Sequence, residues 1–417
     1  MNIELNYAKT KLSLEVADEN LVGILLPNEV EVNLTGAEEV KRSLEHPINS
    51  PRLKDIVKPG ESVCLITSDI TRPIPSYVVV PPVLDELNAC GVKDEDIFIV
   101  FGLGSHRHQT EEEMRRLVGD EVFERVRCMD SDPEGKNVTH LGETSNGTVV
   151  DIFTPVVEAD RVICLGNVEF HYFAGYSGGG KAIMPGVATH DSIQSNHRMM
   201  VLPEAIAGKI EGNPIREEMD DITQYVEIDF IVNVVLNEKK EIIYSAAGHY
   251  IDAHRDACKF LDQLYKKELA EACDIVIVSP GGYPKDINVY QAQKALDNAK
   301  NAVRDGGIII WTAACSEGLG EPHFEEWMLN YTPDEMVTKI KETFVLGGHK
   351  AAAISMVLQR CRVILVSDLE QDFVEHINLE YAPDLETAYR RALADLGEDA
   401  SVLVMPYGGS TLPSVKA

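Results

Sequence analysis

The chain has 417 residues, 44% hydrophobic and 25% charged, which is long enough for two or three domains with cores of their own and is not a disordered composition. A formal net charge of −30 repels nucleic acid and anionic membrane surfaces within a Debye length of about 8 Å, so neither is expected as a partner, while a small anion in a locally basic cleft stays possible. The eight cysteines include no C-x-x-C pair and several lie in apolar runs such as SVCLI at 62–66, so they read as small buried hydrophobes rather than zinc ligands or a disulfide set.

The first residues, MNIELNYAKTKLSLEV, alternate like a strand and lack a charged-then-apolar signal pattern. No apolar run reaches the roughly 18 residues of a membrane span, and a cytoplasmic protein is expected. Apolar runs at Ser62–Thr67, Ile97–Phe101 and Arg161–Leu165 predict strands, with helices between them over Pro75–Cys90 and Thr110–Val126, the second opened by a Thr-Glu-Glu-Glu capping pattern. Phe230–Leu236 predicts another strand and His249–Ala270 a long charged helix. A second series follows: strands at Asp274–Ser279, Gly307–Thr312, Arg362–Ser367 and Ser401–Met405, helices at Tyr290–Arg304 and Leu385–Leu396. This rhythm predicts an α/β protein of two domains, 1–270 and 271–417, with largely parallel sheets flanked by helices and the active site in the cleft between them.

Four loops after strands carry residues suited to chemistry. The first, TSDITRPIP over 67–75, stiffens its turn with Pro73 and Pro75 and presents Asp69 and Arg72; an arginine held this way suits bidentate capture of a carboxylate, and the plain alternative is a surface Asp–Arg pair. The second, GLGSHRHQT over 102–110, places His106 and His108 before a helix; histidine is the usual acid/base near neutral pH, and the pattern is not the G-x-G-x-x-G dinucleotide fingerprint.

The third, FHYFAGYSGGGKAIMPGVATHDSIQSNH over 170–197, brings together His171, Lys181, His190 and His197. A P-loop would place its lysine differently, and the histidine intervals offer no H-x-x-x-H zinc pair. At most one of these histidines need be a metal ligand, and further donors would have to come from something other than nearby side chains. The fourth, SPGGYPKDINVYQAQKALDNA over 279–299, sets Gln291 and Lys294 three apart on one face of a predicted helix near its N-terminus, an anion site or else a solvated lysine.

Taken together, SDITRP, GSHR, HYFAGYSGGGKAIMPG, SNH and GGYPKDINVYQAQKAL resemble, in order and over nearly the whole chain, the nickel-dependent lactate racemase family. The resemblance implies a nickel-pincer nucleotide, a nicotinate-derived mononucleotide with sulfur donors and a carbon bonded to nickel. Lys181 in the N-terminal domain would hold it covalently, beside a turn formed by Ser177, Gly178, Gly179 and Gly180. His197 would be the one protein ligand to nickel, in keeping with the planar coordination Ni(II) favours. His106 and His171 would be the acid/base pair, Arg72 would clamp the substrate carboxylate, Gln291 and Lys294 of the C-terminal domain would assist, and Asp69 would orient Arg72 or a histidine. His108 and His190 are expected to be bystanders.

Chemistry favours the same route. Direct deprotonation of a carbinol C–H asks too much of a histidine, at about 1.4 kcal/mol per unit of pKa mismatch, whereas hydride removal leaves a planar keto acid that accepts hydride on either face. The resemblance further implies cofactor-synthesis and nickel-insertion proteins as partners, and it leaves the oligomeric state open. A segment expected to border the substrate reads GGHKAAA over 347–353 where the lactate enzyme carries tryptophan. Should His349 or Lys350 enter the site, a malate-type substrate gains; lysines are usually solvent-exposed, which ranks a lactate-type 2-hydroxy acid first and a malate-type one second. A nicotinamide-dependent 2-hydroxyacid dehydrogenase and a non-catalytic nucleotide- or anion-binding protein are the alternatives; the missing fingerprint weighs against the first, and the two histidines against the second.

Overall fold

The computed structural model describes residues 1–415. Its chain forms two compact units, one spanning 30–263 and the other joining 1–29 to the segment from 264 onward. Among the described residues, no helix is long and apolar enough to cross a membrane.

The 30–263 unit is built on a six-stranded sheet. Its strands run from edge to edge as Ile242–Gly248, Phe230–Leu236, Arg161–Asn167, Val63–Ser68, Ile97–Gly102 and Arg127–Asp130. All neighbours are parallel except the antiparallel edge pair Phe230–Leu236 and Ile242–Gly248. The inner strand is apolar at nearly every position because a parallel sheet is covered on both faces: Val63 to Thr67 are all buried. Leu65, Ile99, Phe101, Leu165 and Val232 pack with Val40 and Leu44 of helix Gly36–Glu45 and with Val79, Val83 and Leu87 of helix Ser76–Ala89. Each such side chain contributes roughly 1.5–3 kcal/mol on burial.

The other unit carries a wholly parallel sheet in the order Glu380–Tyr381, Arg362–Val366, Val303–Thr312, Cys273–Val278, Val402–Met405 and Leu21–Ile24. Its core joins Ile3, Leu5 and Leu14 of the N-terminal hairpin to Ile277, Ile310, Ile364 and Val404 of the sheet.

Three expectations change. The first 29 residues do not belong to a 1–270 domain: Leu21–Ile24 completes the second sheet as its edge strand, with the Val402 N–H donating to the Asn20 carbonyl (2.8 Å) and the Leu25 N–H to that of Val404 (2.8 Å). The helix expected over His249–Ala270 covers only Asp252–Tyr265, because Lys266–Leu269 turns into a strand pairing with Leu412–Val415. The helix over Thr110–Val126 has the predicted capping box, Thr110 with Glu113, but breaks at Gly119, whose φ of 85° a non-glycine residue rarely adopts.

One feature of the 30–263 unit fixes the glycine-rich turn. Arg216 is fully buried and donates to the carbonyls of Ala174 (3.3 Å), Gly178 (3.3 Å) and Tyr176. His254, also fully buried, donates from Nε2 to the Ser177 carbonyl (2.8 Å) and receives Arg255 at Nδ1 (2.7 Å). Burial, reinforced by the charges of Arg216 and Arg255, pushes the His254 pKa well below the ordinary imidazole value.

The unfolded chain therefore binds a proton at His254 below about pH 6.5 that the native protein refuses, and stability is lost as pH falls through that value, by about 1.4 kcal/mol per unit. Denaturant unfolding of wild type and His254→Gln between pH 7.5 and 5.5 measures this. The wild type should lose stability more steeply on acidification, and parallel pH profiles would contradict the assignment.

Candidate active site

Strands Val63–Ser68, Ile97–Gly102 and Arg161–Asn167 lie side by side and parallel, so the segments that follow them leave from one edge of the sheet. The carboxyl edge of a parallel sheet is where α/β proteins bind ligands. Asp69, 2% exposed, sits just past the first of these strands. Its Oδ2 is 2.8 Å from Nδ1 of His106, and its Oδ1 accepts from the Thr71 hydroxyl (2.9 Å). A carboxylate can only accept, so the His106 proton resides on Nδ1 and Nε2 keeps a lone pair.

Arg72 closes the Asp69 turn through its backbone N–H (3.1 Å), while its side chain is exposed and in no ion pair among the described residues. The plain Asp–Arg pair that the sequence allowed does not form; Asp69 serves the histidine. His108 instead meets Asp130 (3.2 Å) and Glu134 (3.1 Å), apart from the Asp69 pair, and His190 is an exposed first residue of the helix His190–His197.

The His106 loop rests against the lysine segment. The Gly104 N–H donates to the Gly186 carbonyl (2.9 Å), and the Gly186 N–H in turn donates to the carbonyl of Lys181 (3.2 Å). Lys181 lies in the short 3-10 turn Gly179–Ala182. The glycines before it are required by their seating: Gly178 and Gly179 have φ of 81° and 61°, and a Cβ on Gly180 would stand 2.2 Å from the Met219 carbonyl oxygen. The Gly179 N–H donates to Oδ1 of Asn233 (2.9 Å). The Ser177 hydroxyl bridges the Asn167 carbonyl (2.8 Å) and the Glu169 N–H (2.9 Å), which ties the turn to the strand end.

His171 ends the strand Phe170–His171, paired with Gly175–Tyr176 in a tight hairpin, and its Nδ1 accepts the Ala174 N–H (3.3 Å). That places the proton of the neutral ring on Nε2, the reverse of His106. The Phe173 ring meets His171 edge-on at 4.5 Å between centroids and His197 edge-on at 4.8 Å, so one aromatic joins the two imidazoles.

His197 is 7% exposed at the end of its helix, where its Nδ1 faces Oδ1 of Asn196 (3.0 Å). Among the described residues, no cluster of three or more His, Cys, Asp or Glu side chains is placed to hold a metal.

Gln291 and Lys294 belong to the other unit, on helix Val289–Ala299, whose N-terminus is capped by Asn288 accepting the Gln291 N–H (2.9 Å). Gln291 is exposed and Lys294 half-buried. The expectation that His349 and Lys350 merely face solvent is corrected. His349 is 7% exposed and its Nδ1 accepts the Gly347 N–H (3.0 Å). Lys350 donates to the Tyr290 carbonyl (2.7 Å) and lies over the Tyr290 ring at 3.9 Å, bracing the first turn of the Gln291 helix.

Sequence reasoning passed over Arg216, Glu218, Asn233 and His254. The run PIREEMDD at 214–221 reads as a solvated charged face, and nothing in it marks Arg216 and Glu218 as buried.

Comparison with known proteins covers both halves of the chain. The model of the lactate racemase N-terminal domain matches residues 7–208 and that of the C-terminal domain matches 269–412. The lactate racemase of Thermoanaerobacterium thermosaccharolyticum is 33% identical over 422 residues, spanning 99% of each chain, and that of Lactiplantibacillus plantarum is 32% identical, spanning 97% of this chain and 98% of the other. The apoprotein structure of the Thermoanaerobacterium enzyme superposes with a TM-score of 0.91 over the full length of both chains. A Thermotoga maritima protein of 21% identity shares the fold, with a TM-score of 0.65 over 92% of this chain and all of its own. By this agreement along its length, the chain belongs to the lactate racemase family, a family of isomerases.

Proposed function

We propose that the protein interconverts the enantiomers of a small 2-hydroxy acid, lactate-type first and malate-type second, with a nickel-pincer nucleotide held covalently on Lys181 and His197 as the single protein ligand to nickel. The observation that carries this reading is the pair of histidines at one sheet edge, each held at Nδ1, His106 by Asp69 and His171 by the Ala174 N–H. The residues present fit such a group: one buried histidine with its Nδ1 occupied suits a metal whose other donors come from the bound nucleotide, and no competing cluster exists among the described residues.

When bound, the group supplies a hydride acceptor, so that the carbinol carbon can become trigonal and be refilled from either face. His106 receives the substrate hydroxyl proton on Nε2, and the resulting imidazolium is stabilised by the buried Asp69 carboxylate 2.8 Å from Nδ1. His171 returns a proton from Nε2 to the oxygen when the opposite enantiomer forms, acting as the imidazolium, since the neutral ring cannot release its one N–H proton; the second proton, on Nδ1, displaces the Ala174 N–H. In the reverse direction the two exchange roles. Arg72, exposed and without an ion pair among the described residues, is suited to a two-pronged grip on the substrate carboxylate. Ser177, Gly178, Gly179 and Gly180 contribute by seating Lys181.

Protein made together with the cofactor-synthesis and nickel-insertion proteins should carry a covalent adduct on Lys181 and about one nickel per chain, read by intact mass and metal analysis. Lys181→Ala should abolish the adduct; full activity in that variant would sink the assignment.

Alanine at either His106 or His171 should slow racemisation from both enantiomers by about 10²–10⁴-fold, since each turnover needs one acid and one base. Asp69→Asn should cost a comparable factor by allowing the wrong His106 tautomer, without unfolding the protein. Initial rates on enantiopure lactate and malate test all three, and a wild-type rate in any of them removes that residue from the mechanism.

A further inference from the structure

Glu218 is 4% exposed on helix Pro214–Asp221 and makes no ion pair among the described residues. Its carboxylate accepts four hydrogen bonds. Oε1 takes the Thr144 hydroxyl (2.5 Å) and the Asn146 amide (3.2 Å); Oε2 takes the Thr148 hydroxyl (2.8 Å) and the Asn196 amide (2.6 Å). Four bonds fill the accepting capacity of a carboxylate. The Asn196 amide therefore has its NH₂ end toward Glu218, and its Oδ1 is the atom that faces His197 Nδ1 at 3.0 Å.

We infer that Asn196 and Glu218 are positioning residues for metal ligation: Glu218 fixes the orientation of the Asn196 amide, and Asn196 fixes His197 as the tautomer whose Nε2 lone pair binds the metal. This rests on the reading of His197 as the nickel ligand. A side-chain amide can present either end, so Asn196 alone would leave the His197 tautomer open. An acceptor-only partner removes that choice, and a carboxylate is the one side chain here that cannot donate.

A purely structural tie between the hairpin around 144–148 and the two helices would be served by a neutral amide or hydroxyl, which avoids the several kcal/mol of desolvation that a buried, unpaired carboxylate costs. The polarity of the relay is what the charge supplies. Asn196 belongs to the Ser-Asn-His run that the sequence singles out, and this assigns a function to the asparagine beside the ligand.

The test is nitrogen-15 NMR of labelled histidines in the full-length apoprotein, with the His197 signals assigned by their loss in His197→Ala. Wild type should show Nδ1 protonated and Nε2 bare. Asn196→Leu should shift His197 to the Nε2–H form, and Glu218→Gln, whose amide lets Asn196 turn over, should populate both. In protein loaded with the cofactor, both variants should lose nickel to a chelator about 10–100-fold more readily than wild type. Unfolding curves check that each variant is folded, and Glu218→Gln, nearly isosteric, serves where the leucine does not fold. A wild-type Nε2–H tautomer, or a tautomer unchanged in both variants, would overturn the relay. Nickel retained by His197→Ala would instead overturn the ligand reading beneath it, and with it the inference.

Discussion

The buried guanidinium of Arg216 is the interaction on which the rest of the site depends. It gathers the carbonyls of Ala174, Tyr176 and Gly178, while His254 takes that of Ser177 and Asn233 takes the N–H of Gly179. A turn of this shape has too few internal partners for its own backbone groups, and leaving them buried and unpaired would cost about 1–3 kcal/mol each. The glycines follow from the same constraint, since the space beside each is already filled: by Asn233 at Gly178, His254 at Gly179 and the Met219 carbonyl at Gly180. Lys181 is thereby held on a rigid turn whose position comes from the interior of the unit.

Beyond that turn the chemistry of the candidate site reduces to what binds Nδ1 of three imidazoles. Asp69 accepts from His106, the Ala174 N–H donates to His171, and Asn196 accepts from His197. Each partner settles the state of the opposite nitrogen in the neutral ring: a bare Nε2 on His106 and His197, a protonated Nε2 on His171. In the proposed mechanism one residue type takes three roles because its neighbours differ. Phe173, edge-on to both His171 and His197, keeps two of the three rings in fixed relation.

Much of this was legible in the sequence where the signal is local. Apolar runs such as VCLI and IVF mark strands because a parallel sheet buries both faces, and the loops after them carry Asp69, His106 and His171. The placement of 1–29 was not legible, since Leu21 pairs with Val402 and no local pattern announces a partner so distant in the chain. Nor was the support of the site: Arg216 and Glu218 lie in a charged run whose composition is that of a solvated helix, and only packing reveals that both are buried. His349 and Lys350 failed for a related reason, because a lysine that bonds a carbonyl and stacks on tyrosine looks like any other lysine in a sequence.

The most direct measurement follows the hydrogen on the carbinol carbon. Enantiopure lactate deuterated at C2 is incubated in ordinary water with protein made alongside its cofactor-synthesis partners, and the opposite enantiomer is isolated at low conversion. Internal hydride return predicts that the product keeps its deuterium at C2, because the hydrogen never passes through an exchangeable acid. Replacement of the label by solvent hydrogen at the rate of racemisation would mean proton abstraction from carbon, and would contradict the hydride route at its root.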